Sequence, residues 1–162
     1  MSELPFILFG QQHLFALVLS ALTIIYFPLY AKKKLSKDSQ EAIAKTLAIF
    51  LIVHELSRPF YRPYFFGDEL ILSFPLHACH LSAFLIAVYL LVRKKVFFEV
   101  AYYWGLGGGT MALLTPDLVF AFPDIEWFPF FIGHGAMIMA IFFSMFCHNT
   151  YPSKHSFRRV VL

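Results

Sequence analysis

The chain has 162 residues, of which 59% are hydrophobic and only 14% are charged, and its mean hydropathy is +0.69. An average soluble domain is about 45–50% apolar and about 25% charged, so this composition excludes an ordinary soluble domain and indicates a membrane protein. The formal net charge of +3 could suggest nucleic-acid binding, but the basic residues stand in short clusters beside apolar runs, which is typical of cytoplasmic loops.

Apolar runs of membrane-spanning length recur along the chain and predict an all-α, polytopic transmembrane bundle of about five helices. The first span is expected to stop at the lysines of 32–34. The second is expected to end near Pro59, because proline removes a helical hydrogen bond, and an interfacial aromatic loop is expected over 60–68. The predicted spans are residues 13–31, 43–59, 70–92, 96–115 and 128–147, within a single transmembrane domain over 1–162.

The distribution of basic residues predicts how the bundle is oriented. If the N-terminus lies outside, all but two of the 13 lysines and arginines fall in cytoplasmic segments, and only Arg58 and Arg62 fall outside. Loops rich in lysine and arginine are retained in the cytoplasm. We therefore expect an outside N-terminus and a cytoplasmic C-terminus.

Polar residues inside the predicted spans are concentrated in the outer halves of those spans. Ionisable groups cost roughly 2.5–3.5 kcal/mol each at mid-helix, so a cluster at one depth favours a shared polar cavity. The alternative is that these groups only form hydrogen bonds between helices, at about 0.6–2 kcal/mol each. The cluster contains five of the seven histidines together with four other polar residues: His13, His54, His77, His80, His134, Glu55, Arg58, Cys79 and Thr115.

The third span opens with the motif FPLHACH, which ends at His80. Pro75 is expected in the first helical turn, where a missing N–H costs little. In a helix His77 and His80 share a face, whereas Cys79 points about 100° away from His80. Cys79 could be a nucleophile served by His134 of span five. Alternatively, the three histidines could hold a metal ion, or Cys79 could be a small buried apolar residue.

The end of span two carries His54, Glu55 and Arg58 within five residues. Glu55 and Arg58 are three apart and can pair on one helical face. Arg58 could anchor a phosphate headgroup, and the three residues would then bind substrate. A mutually neutralised structural pair is the alternative.

Span four contains the run GLGGG, in which Gly105 and Gly109 form a Gly-x-x-x-Gly spacing. This spacing lets two helices approach closely, so we expect a helix–helix contact there, within the chain or with a partner. Phosphate binding is disfavoured because no strand pattern precedes the glycines.

Three stretches together resemble a known family: PLHAC at 75–79, WGL with ALLTPD over 104–117, and FIGHG at 131–135. In order and spacing they resemble the YwaF-like bacterial integral membrane proteins, over about 74–145. That family is more distantly similar to a eukaryotic transmembrane acyltransferase, which moves fatty acyl chains from phospholipids onto lyso-ether lipids through a cysteine and a histidine. Members of the family typically carry one or two further spans.

The resemblance implies roles for three residues of this chain. Cys79 and His80 look like the Cys-His pair of the eukaryotic enzyme, and His134 looks like its second-site histidine. It implies an acyl-enzyme on Cys79 with His134 as general base, in a bacterial cell membrane. From the sequence we expect no cofactor and assign no metal ligand, and metal binding by the histidines stays open.

Three classes of function stay open from the sequence. The first is a cysteine-dependent lipid acyltransferase or hydrolase with an outward-facing cavity. The second is a non-enzymatic subunit that binds or transports a small molecule in the same cavity, and the third is a membrane assembly protein. We expect membrane lipids as partners, a lipid or small amphiphile as substrate, and no nucleic acid.

Overall fold

The computed structural model describes residues 4–74 and 77–161, and this part of the chain is helical apart from loops and one isolated β-bridge between Pro5 and Phe120. The all-α class predicted from the sequence is confirmed. The helices are α1 (Gln11–Lys34), α2 (Lys37–Phe66), α3 (Leu70–Ser73), α4 (Ala78–Val92), α5 (Lys95–Leu114), α6 (Trp127–Cys147) and α7 (Ser156–Val161).

Two helices, α1 and α6, are long and apolar enough to cross a membrane, and α4 is a shorter apolar helix. α1 buries a single face against α6 and exposes a row of large apolar side chains on its other faces. Such a surface is unfavourable in water and suits the hydrocarbon of a bilayer. The exposed row of α1 includes Leu14, Phe15, Val18, Leu22 and Ile25.

Helix α2 extends seven residues past the end expected at Pro59, so most of the loop expected over 60–68 is helical. Pro59 and Pro63 both lie inside the helix. Proline removes one hydrogen bond, but its fixed φ near −65° is compatible with helical backbone. The helix ends at Gly67, whose φ of 70° is the left-handed conformation that glycine adopts without steric penalty.

The span expected over 70–92 is not one continuous helix. α3 ends at Ser73, and Phe74 and His77 have extended backbone with ψ of 140° and 153°. Proline disfavours helical backbone in the residue before it, which accounts for the conformation of Phe74. Pro75 itself, expected in a first helical turn, lies outside the described residues.

Helix α6 forms the centre of the bundle and packs against α1, α2, α4 and α5. Gly105 and Gly109 are buried where α5 meets α6. A Cβ at Gly105 would lie 2.9 Å from a methyl group of Ile141, and one at Gly109 would press against Met137. The close approach expected from the Gly-x-x-x-Gly spacing is therefore made inside the chain.

One end of the bundle is held together by Arg62, and we call it the Arg62 end. The guanidinium of Arg62 donates to Asp68 after α2 and, at 2.7 Å, to Glu126 before α6. The N-terminal segment joins the same end, because the backbone N–H of Phe6 donates to the carbonyl of Val119. The start of α6 is thus tied to the end of α2.

The opposite end is held together by Arg93, and we call it the Arg93 end. Arg93 follows α4 and donates to Glu41 near the start of α2 and to Nδ1 of His148 after α6. With Nδ1 as acceptor, Nε2 of the neutral ring carries the proton, and it lies 3.5 Å from Glu41. Successive long helices therefore run in alternating directions between the two ends.

The Arg93 end makes stability depend on pH. Burial, and then the neighbouring Arg93 cation, lower the pKa of His148 from 6.5 to about 4. Between these values the unfolded chain binds the proton more readily, so stability falls as pH falls. We expect the unfolding free energy to drop by about 1 kcal/mol from pH 7 to pH 5 through this group, after allowance for solvent screening.

The measurement is thermal unfolding of the purified protein in detergent at pH 5, 6 and 7. His148→Gln should flatten the pH dependence, whereas His155→Gln, which changes an exposed histidine nearby, should leave it unchanged. Equal pH dependence in the wild type and His148→Gln would contradict the assignment.

Candidate functional site

Side chains from α2, α4 and α6 converge on one small cavity near the Arg62 end. Its volume is about 10 Å³, the space of roughly one water molecule. Six of the seven residues predicted as site residues line it: His54, Glu55, Arg58, Cys79, His80 and His134. Residues separated by up to 80 positions in the chain thus share one depth in the bundle.

Glu55 occupies the centre of this group and is only 4% exposed. Its Oε2 lies 2.9 Å from Nδ1 of His80, and its Oε1 lies 3.3 Å from Nδ1 of His54. The guanidinium of Arg58 is farther away, with Nε 4.0 Å from Oε2. A buried carboxylate is strongly unfavourable unless it is paired, and these three groups supply the pairing.

His54 connects α2 to α6 through its ring. Its Nε2 lies 3.0 Å from the carbonyl oxygen of Pro129 and donates to it. The ring lies directly against Gly133, where any Cβ would collide with it. Glycine at 133 is therefore required by the close approach of the imidazole.

His134 projects from α6 with a fixed orientation. Its Nδ1 lies 2.8 Å from the carbonyl oxygen of Phe130, so Nδ1 carries the proton in the neutral ring. Its ring stacks at a tilt on that of Phe130, with centroids 4.6 Å apart. Within the described residues Nε2 has no hydrogen-bond partner, so its lone pair is available as a base.

Cys79 is the second residue of α4 and is half-buried beside the cavity. Among the described residues its sulfur forms no hydrogen bond to a histidine ring. α5 leaves it uncovered on one side, because Gly108 is exposed and a Cβ there would lie 3.8 Å from Cβ of Cys79. Cys79 therefore lines the polar cavity and also faces α5 at Gly108.

His77, the seventh predicted site residue, is exposed and does not line the cavity. It precedes α4 and has extended backbone, so it does not share a helical face with His80 as expected. Its ring still lies near that of His80, with centroids 5.8 Å apart. In the described part of the chain, no three histidine, cysteine or acidic residues are arranged to hold a metal ion, contrary to the metal-site alternative.

His13 was expected in the same outer cluster but has a different role. It is buried against α5, where Nδ1 accepts from the backbone N–H of Phe9 and Nε2 donates to the carbonyl of Leu113. Both ring nitrogens are thus satisfied by backbone. This histidine fastens the N-terminal turn to the end of α5.

Sequence reasoning missed the backbone partners of the site, the carbonyls of Pro129 and Phe130, and the role of Gly133. The motif FIGHG did draw attention to this stretch through the family resemblance. A glycine in a motif does not tell which distant side chain needs the space. That information requires the packing of α2 on α6.

Fold and site together define an all-α membrane protein with a buried His-Glu-Arg cluster beside a cysteine. The chain belongs to the TMEM164 family, whose family model matches residues 8–162. Comparisons with curated proteins and with solved structures gave no significant match. The family and the two long apolar helices support a location in the membrane. The YwaF-like bacterial designation is not confirmed and stays a prediction.

Gly133→Ala is expected to displace the ring of His54 and break its bond to Pro129. Forcing a methyl group into a filled site typically costs about 1–3 kcal/mol, and we expect a loss of that order in unfolding free energy. Gly135→Ala is the matched control on the same helix, because its Cβ would lie 3.9 Å from the Ser20 hydroxyl, an ordinary contact. Equal thermal stability of the two variants would show that the ring does not need the space.

Proposed function

We propose that this protein is a membrane lipid acyltransferase or hydrolase that uses Cys79 as nucleophile. The observation that carries the proposal is that Cys79, His80 and His134 line one cavity although they come from two helices. A thiol becomes a good nucleophile when a base can take its proton. His134 presents an unbonded Nε2 in the described part of the chain, which suits it to that role.

The reaction would proceed in two steps with a thioester between them. In the first, Nε2 of His134 takes the thiol proton, the sulfur attacks the ester carbonyl of a phospholipid, and the lysolipid leaves with that proton. In the second, an acceptor hydroxyl, or water for hydrolysis, loses its proton to a histidine of the same cavity and attacks the thioester. The thiol is restored when the proton returns, so the atoms balance.

Substrate would reach the sulfur from the membrane-facing surface. Gly108 leaves Cys79 uncovered on the side of α5, and His77 is exposed beside the start of α4. The Arg58 side chain is 16% exposed, and its Nε has no hydrogen-bond partner among the described residues. We propose that Arg58 and His77 contact the lipid headgroup. Glu55 and His54 bond mainly within the protein, which leaves them less free to bind substrate than Arg58 and His77.

A non-enzymatic binding or transport subunit is the second candidate. It is favoured by the lack of a hydrogen bond between the Cys79 sulfur and any histidine ring in the described residues. The same polar cavity would then hold a ligand without a covalent step. In that case a bound amphiphile would raise the melting temperature of wild type and Cys79→Ala alike.

The proposed chemistry is tested by incubating the protein, reconstituted in bilayers, with a phospholipid that carries an alkyne-tagged acyl chain. Wild type should acquire a label that hydroxylamine removes, as expected for a thioester. Cys79→Ala should carry at least about 100-fold less of that label than wild type, since it lacks the nucleophile. Cys147→Ala is the matched control and should keep it, because Cys147 is buried at the Arg93 end. Equal labelling of wild type and Cys79→Ala would exclude the acyl-enzyme.

We further infer that α2, α4 and α5 cross the membrane as well, with the Arg62 end outside. The alternating helix directions support this, because each long helix joins the same two ends. The lysine-rich and arginine-rich segments gather at the Arg93 end, as cytoplasmic loops do.

Topology is tested with single cysteines in a background that lacks Cys79 and Cys147. An impermeant maleimide should label Ile125→Cys in intact cells and Lys154→Cys only after permeabilisation, since both positions are exposed and lie at opposite ends. The reverse pattern would invert the orientation. Labelling of both positions from outside would contradict an odd number of crossings between them.

A further inference from the structure

We infer that Glu55 is a positioning residue that holds His80 with Nδ1–H toward its carboxylate, so that Nε2 of His80 stays free to accept a proton in the cavity. The inference deepens the proposed acyl transfer and rests on it: His134 takes the thiol proton in the first step, and His80 takes the proton of the acceptor hydroxyl or water in the second and returns it to the sulfur when the thiol is restored. It assigns Glu55 a role other than substrate binding.

The position of Glu55 favours one protonation pattern for the neutral ring of His80. Oε2 lies 2.9 Å from Nδ1 of His80, in an ion-pair contact that is too far off the ring N–H direction to count as a hydrogen bond. A lone pair on Nδ1 would still be repelled by Oε2 at that distance, so the proton belongs on Nδ1, and Nε2 is then the acceptor. In the described residues Nε2 of His80 has no other hydrogen-bond partner.

The second oxygen of Glu55 is occupied by His54. Nε2 of His54 carries a proton, because it donates to the carbonyl of Pro129. In the neutral ring Nδ1 then has a lone pair, which would repel Oε1 at 3.3 Å, so a further proton must lie between Nδ1 and Oε1. That proton belongs either to the imidazole or to Oε1. In both cases Oε2 stays an acceptor, so the orientation of His80 does not depend on which group holds it.

The arrangement has a chemical consequence for His80. A carboxylate behind an imidazole stabilises the imidazolium that forms when the ring takes a proton, and it keeps the ring in the productive tautomer. His134 has only a backbone carbonyl at its Nδ1. The ring centroids of His80 and His134 lie 6.3 Å apart across the cavity. The structure thus supplies two bases, of which only His80 has a carboxylate behind it.

The test is ¹⁵N NMR of the histidine rings in reconstituted protein. The signals of His80 are identified as those that disappear in His80→Gln. In wild type, Nδ1 of His80 should resonate as a protonated nitrogen and Nε2 as an unprotonated one. Glu55→Gln and Glu55→Met should shift the population toward Nε2–H, with Glu55→Asp intermediate. Glu99→Gln is the matched control, because Glu99 is equally buried but lies on α5 and accepts from the backbone of Ser153.

Turnover of the tagged phospholipid is measured on the same samples. We expect Glu55→Gln to lower kcat by about 100-fold or more, short of the roughly 10⁴-fold loss found when the carboxylate of a catalytic triad is replaced, with KM changed less than about threefold. Unchanged circular dichroism and unchanged signals from His13 and His148, whose hydrogen bonds do not involve Glu55, separate this result from misfolding.

The outcomes separate the inference from the proposed function. If His80 keeps Nδ1–H in both Glu55→Gln and Glu55→Met, the positioning role is overturned, even where wild type transfers acyl chains. If the tautomer shifts but wild type shows no acyl transfer, the positioning of His80 stands and the proposed function fails.

Discussion

The burial of one carboxylate, Glu55, constrains the rest of the polar centre. An ionisable group inside an apolar bundle is tolerated only when donors surround it. The donors come from α2 itself and from α4, and His54 adds a bond to the backbone of α6. Three helices are thereby fixed at one depth, and Cys79 and His134 are brought to the same cavity.

Two local irregularities make this arrangement sterically possible. The break before α4 places Cys79 and His80 in the first turn of a helix, where backbone N–H groups are free of intrahelical partners. Gly133 removes the side chain that would otherwise occupy the space of the His54 ring.

The histidines show how one residue type takes different roles through its hydrogen bonds. Both nitrogens of His13 bond to backbone, which leaves it no chemistry. His134 and His80 each use only Nδ1, so each keeps a lone pair at Nε2. His148 lies at the other end of the bundle, where Arg93 fixes its tautomer. Residue type and depth are therefore not enough to identify a catalytic histidine.

Composition and hydropathy by themselves determined the all-α class, the membrane location and the approximate helices, because burial in lipid requires long apolar runs. Charge placement and depth also collected His54, Glu55, Cys79, His80 and His134 into one group. The end of α2, the break before α4 and the exclusion of His13 required the tertiary structure. Backbone conformation at Gly67 and His77 depends on surrounding contacts, and hydrogen-bond partners such as Pro129 are remote in sequence. For the same reason only the packing of α2 on α4 and α6 decided that Glu55 faces His80.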